Sequence, residues 1–445
     1  MKHRIISVLL ALALLLGLLP RIAPAARAAS SGTCWKDLTW ELSDDGVLTI
    51  DGTGPMDSWS FHAQTPWRHV KSEVKTVVIA DGVTCIGDSA FSGCDSLSSV
   101  HIPDSVTSIG DYAFYGCSSL ERIDIPGSVT SIGGDAFRSC SSLDRIEVSP
   151  DNPNYASDSD GVLFDKTFTT LLRCPGGKEG SYPVSDTVTC IGAHAFYGCD
   201  KLSSVCIPNS VMRIEYGAFE SCGNLSSVCI PDSVTSISSF MFFYCTSLRS
   251  VNIPGSVTSI GEYAFYGCSS LENIEIPNSV ARVDLFAFSM CTSLRCVTIP
   301  DSLTEITDHM FDGCASLRRV RIPRSVTRIG NWAFAGCGLR DVRIPNSVTS
   351  IGANAFYGCS SLRRARIPDS VISIGEDAFS CCTSLDMARV PGSVMSIGSY
   401  VFANCTSLTD LYYGGTGQQW KALMSATADD VIPDATAVHF NKSNP

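Results

Sequence analysis

Cysteine is the side chain with the widest chemistry in this 445-residue sequence, which holds 21 of them. Thirteen keep one address, three residues after a phenylalanine: Cys94, Cys117 and Cys140, then Cys199 and each later unit to Cys405. Zinc needs close ligand pairs, and these thiols come once per unit, so no metal-site spacing is present. Set among aromatic and aliphatic neighbours, the column is expected to pack as small apolar residues. Cys206 and Cys229 differ, because they share one outward position in adjacent units. Their Cα separation tolerates a disulfide, and a cross-unit bridge or two free thiols are the alternatives there.

Arginine makes the second pattern. The residue before each Ile-Pro pair passes from His101, Asp124 and Glu147, through Cys206, Cys229, Asn252, Glu275 and Thr298, to Arg321, Arg343, Arg366 and Arg389. Arg319 and Arg364 stand two residues ahead of two of these. Strand alternation turns this column to solvent. Stacked guanidinium forks would hold an acidic glycan or an acidic patch on a partner protein. The plainer alternative is a solvated strip, offset in part by Asp341 and Asp386.

Other chemistry is sparse. The run Asp158-Ser-Asp160-Gly is faintly like a calcium loop but lacks the distal glutamate, and it reads as a turn between strands at Tyr155 and 162–164. No GxSxG, HExxH, GxxxxGK[ST] or strand-following GxGxxG motif occurs, and the seven histidines are scattered. No enzyme, metal or cofactor is expected.

The elements that must carry these columns follow from a 23-residue period that begins at Ile79 and persists to Val390. A fixed period of this length builds a solenoid whose units touch mainly their neighbours. In the unit at 248–253, Leu-x-x-Val-x-Ile reads as a strand that Pro254 stops. Ser-Val-Thr-Ser-Ile-Gly then crosses the other side with Val257 and Ile260 inward, and residues 262–268 suit one or two helical turns. About fourteen layers at ~4.8 Å give a rod roughly 65 Å long. Two departures interrupt the beat. The unit at Cys337 is one residue short at Gly338, and about thirteen extra residues lie between Val148 and Val184.

The motif Ile-Pro-x-Ser-Val-Thr-x-Ile-Gly-x-x-Ala-Phe-x-x-Cys-x-Ser-Leu, over roughly residues 77–413, resembles the bacterial BspA-type (Treponema-type) leucine-rich repeat. The fold class expected is therefore α/β: a right-handed leucine-rich-repeat solenoid with a parallel sheet on one face and β-rich caps. Residues 29–76 read as an N-terminal hairpin cap, with Trp40/Leu42 and Leu48/Ile50 on one face across an Asp-Gly turn. A variant hairpin insertion occupies about 149–183, and residues 414–445 resemble the family's terminal cap. The resemblance implies a secreted or surface-attached protein that binds other proteins or host material. It implies no particular ligand.

The N-terminus agrees with that compartment. Lys2 and Arg4 precede an apolar run at 5–19, and Ala26-Arg-Ala28 offers a cleavage site, as in a secretory signal of residues 1–28. The run is shorter than the ~20 residues a span needs, so no membrane span is expected in the mature chain. Cleavage removes Lys2, Arg4, Arg21 and Arg27, taking the net charge from −12 to −16. That balance disfavours nucleic acid and anionic membranes. The function expected is adhesin-like binding through the exposed solenoid face. A self-associating surface scaffold and an acidic-glycan-binding module are the alternatives.

Overall fold

The structure is a computed structural model describing residues 30–60, 65–425, 431–433 and 436–440. The expected signal segment, 1–28, lies outside the described residues. The chain winds as a parallel β-solenoid of about 16 turns with coils of about 23 residues.

Each coil has three sides. The first is the strand before Ile-Pro: Arg122–Ile125 pairs in parallel with Arg145–Val148, and Ile123 faces Ile146 in register. The second is a two-residue Ser-Ile strand, laddered as Ile86 to Ile109 to Ile132. The third is the Ala-Phe-x-x-Cys segment, and it does not form the expected helical turns; it is a run of turns with left-handed residues such as Tyr112 (φ 56) and Gly116 (φ 70).

A hydrogen-bonding reason accounts for that difference. A helical turn would spend its amides inside the coil. Here Ser89, Phe91 and Gly93 donate forward to the carbonyls of Asp111, Ala113 and Tyr115 at 2.8, 2.8 and 2.7 Å. Alternating left- and right-handed residues aims three amides per coil the same way along the rod, so every coil completes its predecessor. A left-handed non-glycine residue costs about 1–2 kcal/mol. The inter-coil ladder offsets that strain.

Inside, Val, Ile, Leu, Phe and Cys columns are almost wholly buried. Phenylalanine rings stack from Trp67 through Phe91 and Phe114 to Phe137. The stack resumes at Phe196 and runs to Phe402. The core accordingly forms two blocks that meet at the insertion.

The ends and the junction are where aligned amides lose partners. At the N-terminus Trp40 faces Ile50 and Leu42 faces Leu48 across an antiparallel pair, and Ile50 then pairs in parallel with Ile79. Trp67 donates its indole N–H to the Ala90 carbonyl at 3.0 Å, and the Trp59 amide donates to Asp88 at 3.0 Å. At the C-terminus the helix Gly417–Ser425 and the strand Ala437–Phe440 close the rod, and Phe402 donates to the Val431 carbonyl.

The insertion forms the antiparallel strands Tyr155–Ser157, Leu163–Asp165 and Thr170–Arg173 in place of a phenylalanine segment. Its buried Arg173 donates to the carbonyls of His194, Tyr197 and Phe137 at 2.6, 3.0 and 3.3 Å. At Tyr197 the guanidinium thus takes the place of an amide from the missing segment, as Gly93 serves Tyr115 in a regular coil.

Candidate partner-binding site on the strand face

The arginine column lies where strand alternation puts it. In Arg364–Arg366 the pattern is exposed, buried, exposed around Ala365. Arg321 bridges Thr298 on one side and Arg343 on the other, and Arg366 sits in register with Arg389. The ladder breaks between Arg343 and Arg366, because the sheet containing Arg366 starts at Arg364–Arg366.

The break falls one coil after the shortened unit. A Cβ on Gly338 would collide with the Ala315 carbonyl, so only glycine takes this tightened corner. Beyond it a groove of about 1030 Å³ opens between residues 340–346 and residues 363–369, with Asp386 and Arg389 at its end.

Charge pairing relieves only the ends of the strip. Arg321 reaches Asp301 at 3.6 Å, and both side chains are mostly exposed. Arg389 holds Asp369 at 2.7 Å and the Ile367 carbonyl at 3.0 Å. These partners are not the expected ones: Asp341 and Asp386 line the groove without an ion pair. The reason is geometric. Asp301 and Asp369 sit in the turn after the preceding coil's proline, directly beside the next coil's arginine. Among the described residues Arg319, Arg343, Arg364 and Arg366 make no ion pair and are exposed. Residues 318–389 carry eleven arginines against five acidic residues, in a chain of net charge −12.

Two arrangements escaped the sequence reading. The left-handed position before each Ala-Phe pair builds an outer ring ladder of Phe240, Tyr263, Phe286, His309 and Trp332. Its centroids are 4.8, 4.7, 4.1 and 5.8 Å apart, with interplanar angles of 34°, 5°, 15° and 5°. Each inner ring covers its neighbours' faces and turns an edge outward, an arrangement that stabilises the stack and offers no open platform for a sugar. The 23-residue spacing of these aromatics was the available signal.

The second arrangement is a polar clasp at the junction of the two core blocks. Asp135 accepts from His194 Nδ1 at 3.0 Å, and Glu220 lies 3.3 Å from Arg138 and 3.5 Å from His194 Nε2. Arg138 also covers the Tyr197 ring at 3.7 Å. Burial pushes the Glu220 carboxyl up, and Arg138 and His194 only partly counter it. Burial works the same way on Asp135, where the His194 hydrogen bond and charge more than offset it and leave that carboxyl low. Long sequence separation hid this cluster.

All 21 cysteines are free thiols. Along the buried column most Sγ atoms donate to the phenylalanine carbonyl of the preceding coil, as Cys117 to Phe91 at 3.2 Å and Cys268 to Phe242 at 3.1 Å, whereas Cys199, after the insertion, donates to the Cys174 and Pro175 carbonyls. Cysteine therefore fills an apolar site and also satisfies a buried acceptor. Burial raises the Cys140 and Cys359 thiols of this column to about 12. Cys206 and Cys229 are exposed register partners. In the insertion, Asp158 accepts the Asp160 and Val162 amides on one oxygen and the Tyr182 hydroxyl on the other, which is turn chemistry.

Comparison with known proteins agrees with this architecture. The description "BspA type Leucine rich repeat region (6 copies)" matches residues 69–159, 180–295 and 286–409. A leucine-rich repeat protein from Eubacterium ventriosum is 28% identical, with a TM-score of 0.57, over 71% of this chain and 97% of its own. One from Bacteroides ovatus is 27% identical, with a TM-score of 0.55, over 92% and 99%. A leucine rich cell surface protein from Faecalibacterium prausnitzii is 29% identical over 90% and 98%, with a TM-score of 0.48. No curated protein matches the chain. With the period, the three-sided coil and the matched residues in agreement, the chain belongs to the BspA-type leucine-rich-repeat family.

Proposed function

We propose that this protein is a secreted or cell-surface interaction protein, adhesin-like and non-catalytic, that docks an acidic partner along Arg321, Arg343, Arg366 and Arg389 with Arg319 and Arg364 beside them. The observation that carries this reading is the set of exposed guanidiniums without counter-ions at the centre of the row, Arg343, Arg364 and Arg366 around an open groove, on a chain that is otherwise acidic. A rigid solenoid adds many weak contacts with little ordering cost, because its side chains are held at fixed spacing before binding. The apolar N-terminal run supports export. No helix among the described residues is long and apolar enough to cross a membrane.

The test is capture from extracellular-matrix and cell-surface extracts, beside a variant with the four column arginines replaced by Ser. A partner held by the wild type and lost by the variant supports the reading. Retention of every partner by the variant refutes it, and self-association without any partner favours a scaffold.

A further inference from the structure

The groove inside the strip narrows the class of partner, and the inference rests on reading the strip as a binding surface. Its charged walls are Arg340 and Arg343 on one coil and Arg363, Arg364 and Arg366 on the next, with Arg389 beyond. Asp369, one of its three aspartates, is already engaged by Arg389. The apolar lining, Val342, Ile344 and Ile367, consists of buried residues that belong to the core.

Protein partners anchor most strongly by seating aromatic or aliphatic side chains in apolar pockets. Guanidinium walls offer paired, charge-assisted hydrogen bonds to planar or tetrahedral oxyanions instead. At about 1030 Å³ the groove is also larger than one small anion requires. Finally, its arginines recur on successive coils, Arg343, Arg366 and Arg389, so they match anions repeated along a chain lying parallel to the rod. A flexible acidic peptide would lose more conformational freedom on docking than a chain of closed sugar rings.

We infer that the groove between Arg343 and Arg366 binds a linear anionic glycan, bearing uronate or sulfate groups, laid across successive coils. The neighbouring aromatic ladder, with its ring faces covered, takes no part in holding it.

The test is titration calorimetry of the full chain with size-defined oligogalacturonate, heparin oligosaccharides, neutral dextran and poly-glutamate at fixed salt. Oligogalacturonate or heparin should bind, more tightly as length increases, while neutral dextran should not. A preference between those two identifies the anion as carboxylate or sulfate. The exposed pair Arg343→Ser with Arg366→Ser should weaken binding by about tenfold or more, given the strength of charge-assisted contacts.

A second pair, Arg343→Lys with Arg366→Lys, keeps the charge and removes the fork, and should weaken binding several-fold. Wild-type affinity in the lysine pair would mean unspecific charge attraction and would overturn the assignment. Tighter binding of poly-glutamate than of either glycan would also overturn it. If the serine pair loses a captured protein partner while the wild type binds no glycan, this inference fails and the docking strip stands. If the serine pair loses nothing, both fail.

Discussion

The arginine strip and the outer aromatic ladder are built by the same period on overlapping coils, yet their stacked side chains behave oppositely. Rings at Phe240, Tyr263, Phe286, His309 and Trp332 find partners in one another. Arginines at 343 and 366 meet like charge across the broken ladder, and only the flanking Arg321 and Arg389 have carboxylates. A solenoid stacks like on like by construction, so the chemistry of a column decides whether it stabilises the rod or is left for an outside partner. Stability and docking should therefore be separable, column by column.

The largest expected effect tests the stability side at the junction. Arg173→Met removes a donor from three carbonyls, of which His194 keeps only the Tyr197 amide, and should cost about 3–5 kcal/mol in urea unfolding, with partner capture by the strip retained. A cost below about 1 kcal/mol would show that water replaces the guanidinium readily. Phe265→Ala opens a cavity in the inner stack and should cost a similar ~3–5 kcal/mol.

Cys268→Ala should cost about 2 kcal/mol, because it removes volume and the donor to Phe242 together. In native protein the exposed Cys206, Cys229 and Cys296 should label with a thiol reagent well before the buried column. Mild oxidation is expected to bridge Cys206 to Cys229, and a non-reducing peptide map that finds only free thiols there would exclude it. Phe286→Ala, in the half-exposed ladder, should cost about 1 kcal/mol.

The smallest effect concerns acid. Burial raises the Asp165 carboxyl, but hydrogen bonds from the Thr170 amide, the Thr167 and Thr169 hydroxyls and the Thr169 amide more than offset it, leaving its folded value below the usual aspartate range. Its contribution is present above the unfolded value and disappears as pH falls through the folded one. Asp165→Asn should therefore shallow the acid limb of the stability profile and leave neutral binding unchanged.

Much of this molecule was legible because repetition averages out local ambiguity: Ile-Pro, Phe and Cys each recur in register until their column is unmistakable. The third side was misread because left-handed backbone there falls on Tyr112, Trp332 and Asp377, residue types that carry no signal for it. Arg173 was invisible as a cap because it lies in the one coil the period does not describe. The strip's residues were legible from alternation. Its groove was not, since it depends on how a single deletion at Gly338 accompanies a broken ladder one coil later. Its counter-ions escaped as well, because they come from a neighbouring coil's turn rather than from the same strand.

The most direct test of the separation is one paired measurement on the Arg343→Ser/Arg366→Ser protein: partner capture and the urea midpoint in the same buffer. The account predicts capture lost and stability unchanged within about 0.5 kcal/mol, as for exposed substitutions. Full capture, or a midpoint lowered as far as Phe265→Ala lowers it, would contradict it.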